Sequence, residues 1–97
     1  MAHYVGVLDG SDDVWGIRIP DLPGCHGGGE SAEAAIADAI LAARAWAGHR
    51  TAKAAAMPAP RTVGAIIAAG ELDVQAGETA VMVVAAPLLQ PRRPWRT

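Results

Sequence analysis

The first nineteen residues carry two apolar runs separated by a polar stretch. His3 to Leu8 reads as a strand, and Asp9-Gly10-Ser11-Asp12-Asp13 is dense in turn formers. From Val14 to Ile19 the pattern alternates, with Trp15, Ile17 and Ile19 on one side and Val14, Gly16 and Arg18 on the other. That period of two predicts a half-buried strand, and the two strands predict a hairpin. Pro20-Asp21-Leu22-Pro23-Gly24 ends the second strand, because proline lacks a ladder donor. Cys25 to Gly29 is a short third strand that three glycines weaken on propensity alone.

The period then changes. Ser31 is placed to cap a long helix, with Glu30 and Glu33 near the positive end of its dipole. Ala32, Ala35, Ile36, Ala39, Ile40, Ala43, Trp46 and Ala47 follow helical spacing, and their small alanines suit close packing on a sheet. Gly48 predicts the end of the helix. A linker from Thr51 to Arg61 leads to a short helix, Val63–Ala69, capped by Thr62 and stopped by Gly70. After a loop through Ala76-Gly77-Glu78, Thr79 to Ala86 forms an unbroken apolar run rich in β-branched residues. It reads as a strand covered on both faces, by a helix on one side and a helix or another subunit on the other. The expected class is α/β (α+β), in the order β-β-β-α-(short α)-β. A three-stranded antiparallel meander is joined through a right-handed crossover by a last strand parallel to the first.

Composition narrows the picture. Ninety-seven residues make one domain, expected over 1–89 with a basic tail at 90–97. Phe is absent, so Trp15, Trp46, Trp95 and Tyr4 are the only large aromatic anchors. Three of the eight basic residues, Arg92, Arg93 and Arg96, lie in the last six positions. Residues 1–90 thus hold five basic groups against all ten acidic ones. Such a body repels nucleic acid and can steer a basic protein toward itself. The lone Cys25 permits no internal disulfide, no signal peptide is legible, and the apolar run that includes Pro87 is too short to span a bilayer. A cytoplasmic protein is expected.

Tyr4-Val5-Gly6-Val7, followed by Trp15-Gly16-Ile17-Arg18-Ile19-Pro20-Asp21-Leu22-Pro23-Gly24-Cys25, resembles the HicB family of antitoxins. The Pro-Asp-Leu-Pro-Gly-Cys stretch is the most telling part. Gly27-Gly28-Gly29-Glu30-Ser31-Ala32-Glu33-Ala34 takes the place of the family's polar, acidic helix start, and Pro60-Arg61-Thr62-Val63 through Val81–Val84 also fits. The likeness covers roughly residues 3–89. It implies a partial RNase H-like fold and an antitoxin that covers the active surface of a small, basic, mRNA-cleaving toxin of the HicA type. Members usually carry a further C-terminal DNA-binding segment. This chain stops at Thr97, so operator binding is not expected of it alone.

An RNase H-like fold raises metal-assisted phosphodiester cleavage, which needs several carboxylates converging on cations. Asp9, Glu30, Glu33 and Asp38 are candidates, but the last strand offers no carboxylate from Thr79 to Ala86, and Asp9-Gly10 also suits a hairpin turn. Cys25 and His26, being adjacent, lack zinc-ligand spacing, and His3 and His49 complete no pattern. Gly24 and the three glycines before the helix lack the Gly-Lys-Ser/Thr ending of a phosphate loop. Arg92-Arg93-Pro94-Trp95-Arg96 could touch nucleic acid, but five residues without a scaffold give little order. No cofactor, metal or catalytic group is expected.

The expected role is protein binding: an antitoxin partnered by a HicA-type toxin and forming a homo-oligomer, a dimer or a tetramer. Trp15, Trp46, Val81 and Val83 are the candidate partner or oligomer contacts. The competing readings are an orphan self-assembling domain without a toxin and, third, a metal-dependent nuclease.

Overall fold

In the computed structural model, residues 2–85 are described. Four strands, β1 (Ala2–Ser11), β2 (Val14–Arg18), β3 (His26–Gly29) and β4 (Thr79–Ala85), form one sheet in the order β3-β2-β1-β4. Two helices connect β3 to β4, α1 (Ala32–Ala52) and α2 (Val63–Ala68), followed by a single 3₁₀ turn at Val74–Ala76. The element order is the expected one. The expected end of the last strand at Ala86, the Pro87 stop and the basic tail lie outside the described residues.

β1 and β2 form the predicted hairpin, but its turn is tighter than the polar stretch suggests. Ser11 pairs with Val14, leaving only Asp12 and Asp13 in the turn. Asp12 takes φ 55°, a left-handed conformation that a short polar side chain tolerates. Asp9 and Gly10 are therefore strand residues, opposite Gly16 and Trp15.

Successive β1 side chains divide between the two faces of the sheet. Tyr4 and Leu8 join Ile17, Ile19, Leu22, Cys25 and Val83 under α1, where Ala35, Ala39, Ala43 and Ala47 are fully buried. Val5 and Val7 face the other way, against Ile66 of α2 and Leu72. The glycines of β3 are explained by the first of these layers. A Cβ on Gly27 would lie 2.5 Å from the Ala39 nitrogen, and one on Gly29 would lie 2.6 Å from the Ala34 Cβ. Gly27 and Gly29 thus let α1 rest directly on β3, and the alanine stripe meets them from above.

The last strand runs antiparallel to β1, not parallel as the sequence suggested. Leu8 pairs with Thr79 and Tyr4 with Val83. The reason is a second crossing. After α1, the Tyr4 hydroxyl donates to the Pro58 carbonyl, which places the chain near the start of β1. Residues 59–78 then pass over the Val5–Val7 face through α2 and deliver the chain to the end where β1 finishes. One helical crossover would have made the strands parallel; the return leg reverses the sense.

The helix α1 also outruns its predicted stop. Gly48 sits inside it, and the helix ends at a Schellman motif. The Ala54 N–H donates to the Thr51 carbonyl (3.0 Å) and the Ala55 N–H to the Arg50 carbonyl (2.9 Å). The left-handed residue of that motif is Ala54, φ 53°, where glycine would be the usual choice. Ser31 caps the N-terminus as expected, its Oγ accepting from the Ala34 N–H at 3.0 Å. Thr62 caps α2 in the same way, at 3.1 Å from the Ala65 nitrogen, and Gly70 follows it with φ 77°.

Candidate protein-binding surfaces

The four candidate contacts fall into three places. Trp15 pairs with Gly10 on β1 and Gly29 on β3, beside the hairpin turn, and its ring packs half-buried at the margin of the α1 core. Its Nε1–H donates to the Asp12 carbonyl at 3.0 Å, which fixes the ring against the turn. Around that end stand Asp9, Asp12 and Asp13 of the hairpin and Glu30 and Glu33 at the start of α1, all exposed. The described basic residues lie elsewhere: Arg18 and Arg61 in ion pairs, and Arg44, Arg50 and Lys53 in or just past the C-terminal half of α1. The result is an aromatic group in an acidic surround.

Trp46 occupies the opposite end of α1. Its Nε1–H donates to the Pro23 carbonyl at 3.1 Å, and the Arg50 guanidinium lies 4.6 Å from the ring centroid. The ring forms one wall of an open groove of about 490 Å³, with Gly24, Cys25, Ala42, Ala45 and His49. Val81 and Val83 share the α1 face of β4 and differ in access. Val81 is partly buried, whereas Val83 is wholly inside the core, so only its backbone is available to a partner.

The residues considered for chemistry are spread out. Asp38 Oδ2 accepts from the Gly28 N–H at 3.0 Å, a bond that ties α1 to β3. Cys25 is buried while His26 is exposed, so these neighbours point apart, and burial pushes the Cys25 thiol up from its ordinary value. Among the described residues, no three His, Cys, Asp or Glu side chains converge as a metal site. No described helix is long and apolar enough to cross a membrane.

A polar cluster escaped the sequence reading. Asp21, from the Pro-Asp-Leu-Pro-Gly stretch, accepts from the Arg61 N–H at 2.8 Å and from its Nε at 2.6 Å. The Arg61 Nη1 also donates to Glu71 at 2.6 Å. Beside it, Arg18 donates to the Glu71 carbonyl (2.8 Å) and pairs with Glu78 (3.3 Å). Arg61 holds the Glu71 carboxyl below its ordinary range, and the Asp73 N–H, then Arg18, do the same for Glu78. These groups are far apart in sequence, and only the charge at Asp21 within an otherwise apolar turn hinted at a partner. The cluster fastens the return crossing to the sheet.

Comparison with known structures places the fold first. The N-terminal domain of Burkholderia pseudomallei antitoxin HicB superposes with a TM-score of 0.72 at 24% identity, covering 86% of this chain and 96% of that one. The longer Burkholderia pseudomallei antitoxin HicB gives 0.74 at 23% identity, covering 96% of this chain and 72% of that one. A HicA3 and HicB3 toxin–antitoxin complex contains a chain matched at 0.66 and 16% identity, over 89% of this chain and all of that one. The family follows from the sequence itself: residues 4–92 match the HicB-like antitoxins of bacterial toxin–antitoxin systems, and the chain belongs to that family. Among curated proteins, none matches it in sequence.

Proposed function

We propose that this chain neutralises a small, basic, mRNA-cleaving toxin of the HicA type by binding it, acts as a homo-oligomer, and performs no catalytic step of its own. Membership of the antitoxin family supports the toxin partner, and a solved neighbour comes from a complex of HicA3 with HicB3. The observation that carries the reading is the Trp15 end. A half-buried aromatic ring surrounded by Asp12, Asp13, Glu30 and Glu33 offers a desolvated anchor within a field that attracts a cationic partner. In this reading Trp15 is the toxin contact. The groove beside Trp46, with Arg50 and His49 on its rim, has the wrong charge for a basic protein.

Co-expression with the small basic protein encoded beside the gene tests this. Growth rescue and co-purification are expected. The charge reversal Asp12→Lys/Asp13→Lys, made on exposed residues, is expected to slow association and flatten its salt dependence. Failure of the wild-type chain to bind or neutralise that protein overturns the proposal. An unchanged association rate in the variant removes the Trp15 end from it.

A further inference from the structure

The sheet has two edges, and they are finished differently. β3 has four residues, three of them glycine, and its Gly28 N–H is taken by Asp38. Natural edge strands are blunted in such ways, by shortness and by occupied backbone groups. β4 has none of these features. Its seven residues, Thr-Ala-Val-Met-Val-Val-Ala, include no charge, proline or glycine, and no described strand pairs with its outer side. Met82 is 54% exposed on the face away from α1. An uncharged, β-branched edge that no described residue pairs with invites another strand.

We infer that the occupant is the β4 strand of a second copy, paired antiparallel about a two-fold axis through Met82, so that two four-stranded sheets become one. The inference deepens the homo-oligomer proposed above by naming its seam. Charge selects this partner. The body of the chain is acidic, so most surfaces of two copies repel, whereas β4 brings no like charges together. A cationic partner is drawn instead toward the carboxylates around Trp15, which stands on β2 with β1 between it and this edge. The register is set by symmetry. Placing Met82 opposite its own copy pairs all seven residues: Val81 with Val83, Ala80 with Val84, and Thr79 with Ala85. In each pair both side chains lie on the same face, so both α1 helices cover one side of the joint sheet.

The test uses the full chain. Light scattering on the wild type is expected to show a dimer or a multiple of it. Met82→Lys places two ammonium groups face to face and is expected to weaken self-association about tenfold or more, roughly 1.4 kcal/mol or above. Val14→Lys, at a residue 73% exposed at the hairpin, is expected to leave it unchanged. Directly opposed Cα atoms in an antiparallel pair lie about 4.5–5.5 Å apart, within disulfide range. Met82→Cys is therefore expected to give a covalent dimer on mild oxidation, while the wild type, whose only thiol is the buried Cys25, does not. A monomeric wild type, an oligomer indifferent to Met82→Lys, or an oligomer that Met82→Cys fails to link each overturns the inference. The last two leave homo-oligomerisation standing, and toxin binding by Met82→Lys is read separately. Loss of the cysteine cross-link on adding the toxin would assign the edge to the toxin and also overturn it.

Discussion

The two faces of the sheet are held by different physics. Under α1 the contact is one of shape: Gly27 and Gly29 meet Ala35, Ala39 and Ala34 so closely that no Cβ fits between them. On the other face, among the described residues, only Val5, Val7, Ile66 and Leu72 are buried together, and the ion pairs of Arg61 and Arg18 tie the same crossing to the sheet. A close-packed layer tolerates no added atom, while a small layer fails by losing one. The comparison shows why a six-residue helix can cover a sheet: charge and backbone contacts hold the return crossing where apolar area is scarce.

The largest effect is expected on the tightly packed face. Gly27→Val drives a branched side chain into the Ala39 nitrogen and Ala35 carbonyl. Helix backbone cannot yield as a side chain can, so the loss should exceed the ~1–3 kcal/mol of ordinary overpacking, a large part of the ~5–15 kcal/mol a domain possesses. Gly16→Ala, on the neighbouring strand, is the control: its Cβ would meet only the Gly27 carbonyl at 3.9 Å, an ordinary contact, and the change should be tolerated. Urea denaturation followed by circular dichroism distinguishes them.

Next comes Ile66→Ala on the opposite face. Ile66 is fully buried and is the only fully buried residue α2 supplies, so a loss of about 2–5 kcal/mol is expected. Proteolysis between residues 59 and 78 should accelerate more than proteolysis within α1. Equal acceleration in both would mean that the two layers unfold as one.

A smaller loss is expected from Arg61→Met, which removes the side-chain bonds to Asp21 and Glu71 and keeps the main-chain N–H bond to Asp21. Its combination with Asp21→Asn should be less than additive, because both remove one network. The network also carries an acid dependence. The folded-state pKa values of Glu71 and Glu78 lie below their ordinary values. Their stabilisation is therefore complete above the ordinary Glu range and disappears as pH falls through the folded values. Thermal melts from neutral to acid pH should show the loss, and Arg61→Met should remove the Glu71 share.

The smallest effect concerns the joint between the faces. Ala54 holds φ 53° where the chain leaves α1 to cross the sheet. A left-handed alanine is strained by roughly 1–2 kcal/mol, so Ala54→Gly should raise the melting temperature slightly, the glycine's extra unfolded-state freedom offsetting part of the gain.

The hairpin, the caps at Ser31 and Thr62 and the alanine stripe were legible in the sequence because each rests on local spacing. The direction of β4 was not. It depends on where Pro58 and Arg61 attach, and neither Tyr4–Pro58 nor Asp21–Arg61 leaves a periodic trace. Gly48 misled because glycine signals a helix end only where a left-handed residue is needed, and here that position fell on Ala54. Of the candidate surfaces, Trp15 and Trp46 stood out as the scarce aromatics in a chain without Phe. The acidic surround of Trp15 became visible only when the hairpin turn and the start of α1 were brought to one end of the sheet.

The pairing of β1 with β4 has a consequence for biosynthesis. The strand at the middle of the sheet is the first made, and its neighbour on one side is among the last described segments of the chain. The α1–β3 layer joins residues near in sequence and can form while translation continues, whereas Tyr4 must wait for Val83. Until residue 79 is made, β1 therefore lacks its β4 neighbour along Ala2–Leu8, while β2 already pairs with Val7–Ser11. The sheet is complete only once Thr79–Ala85 has been made.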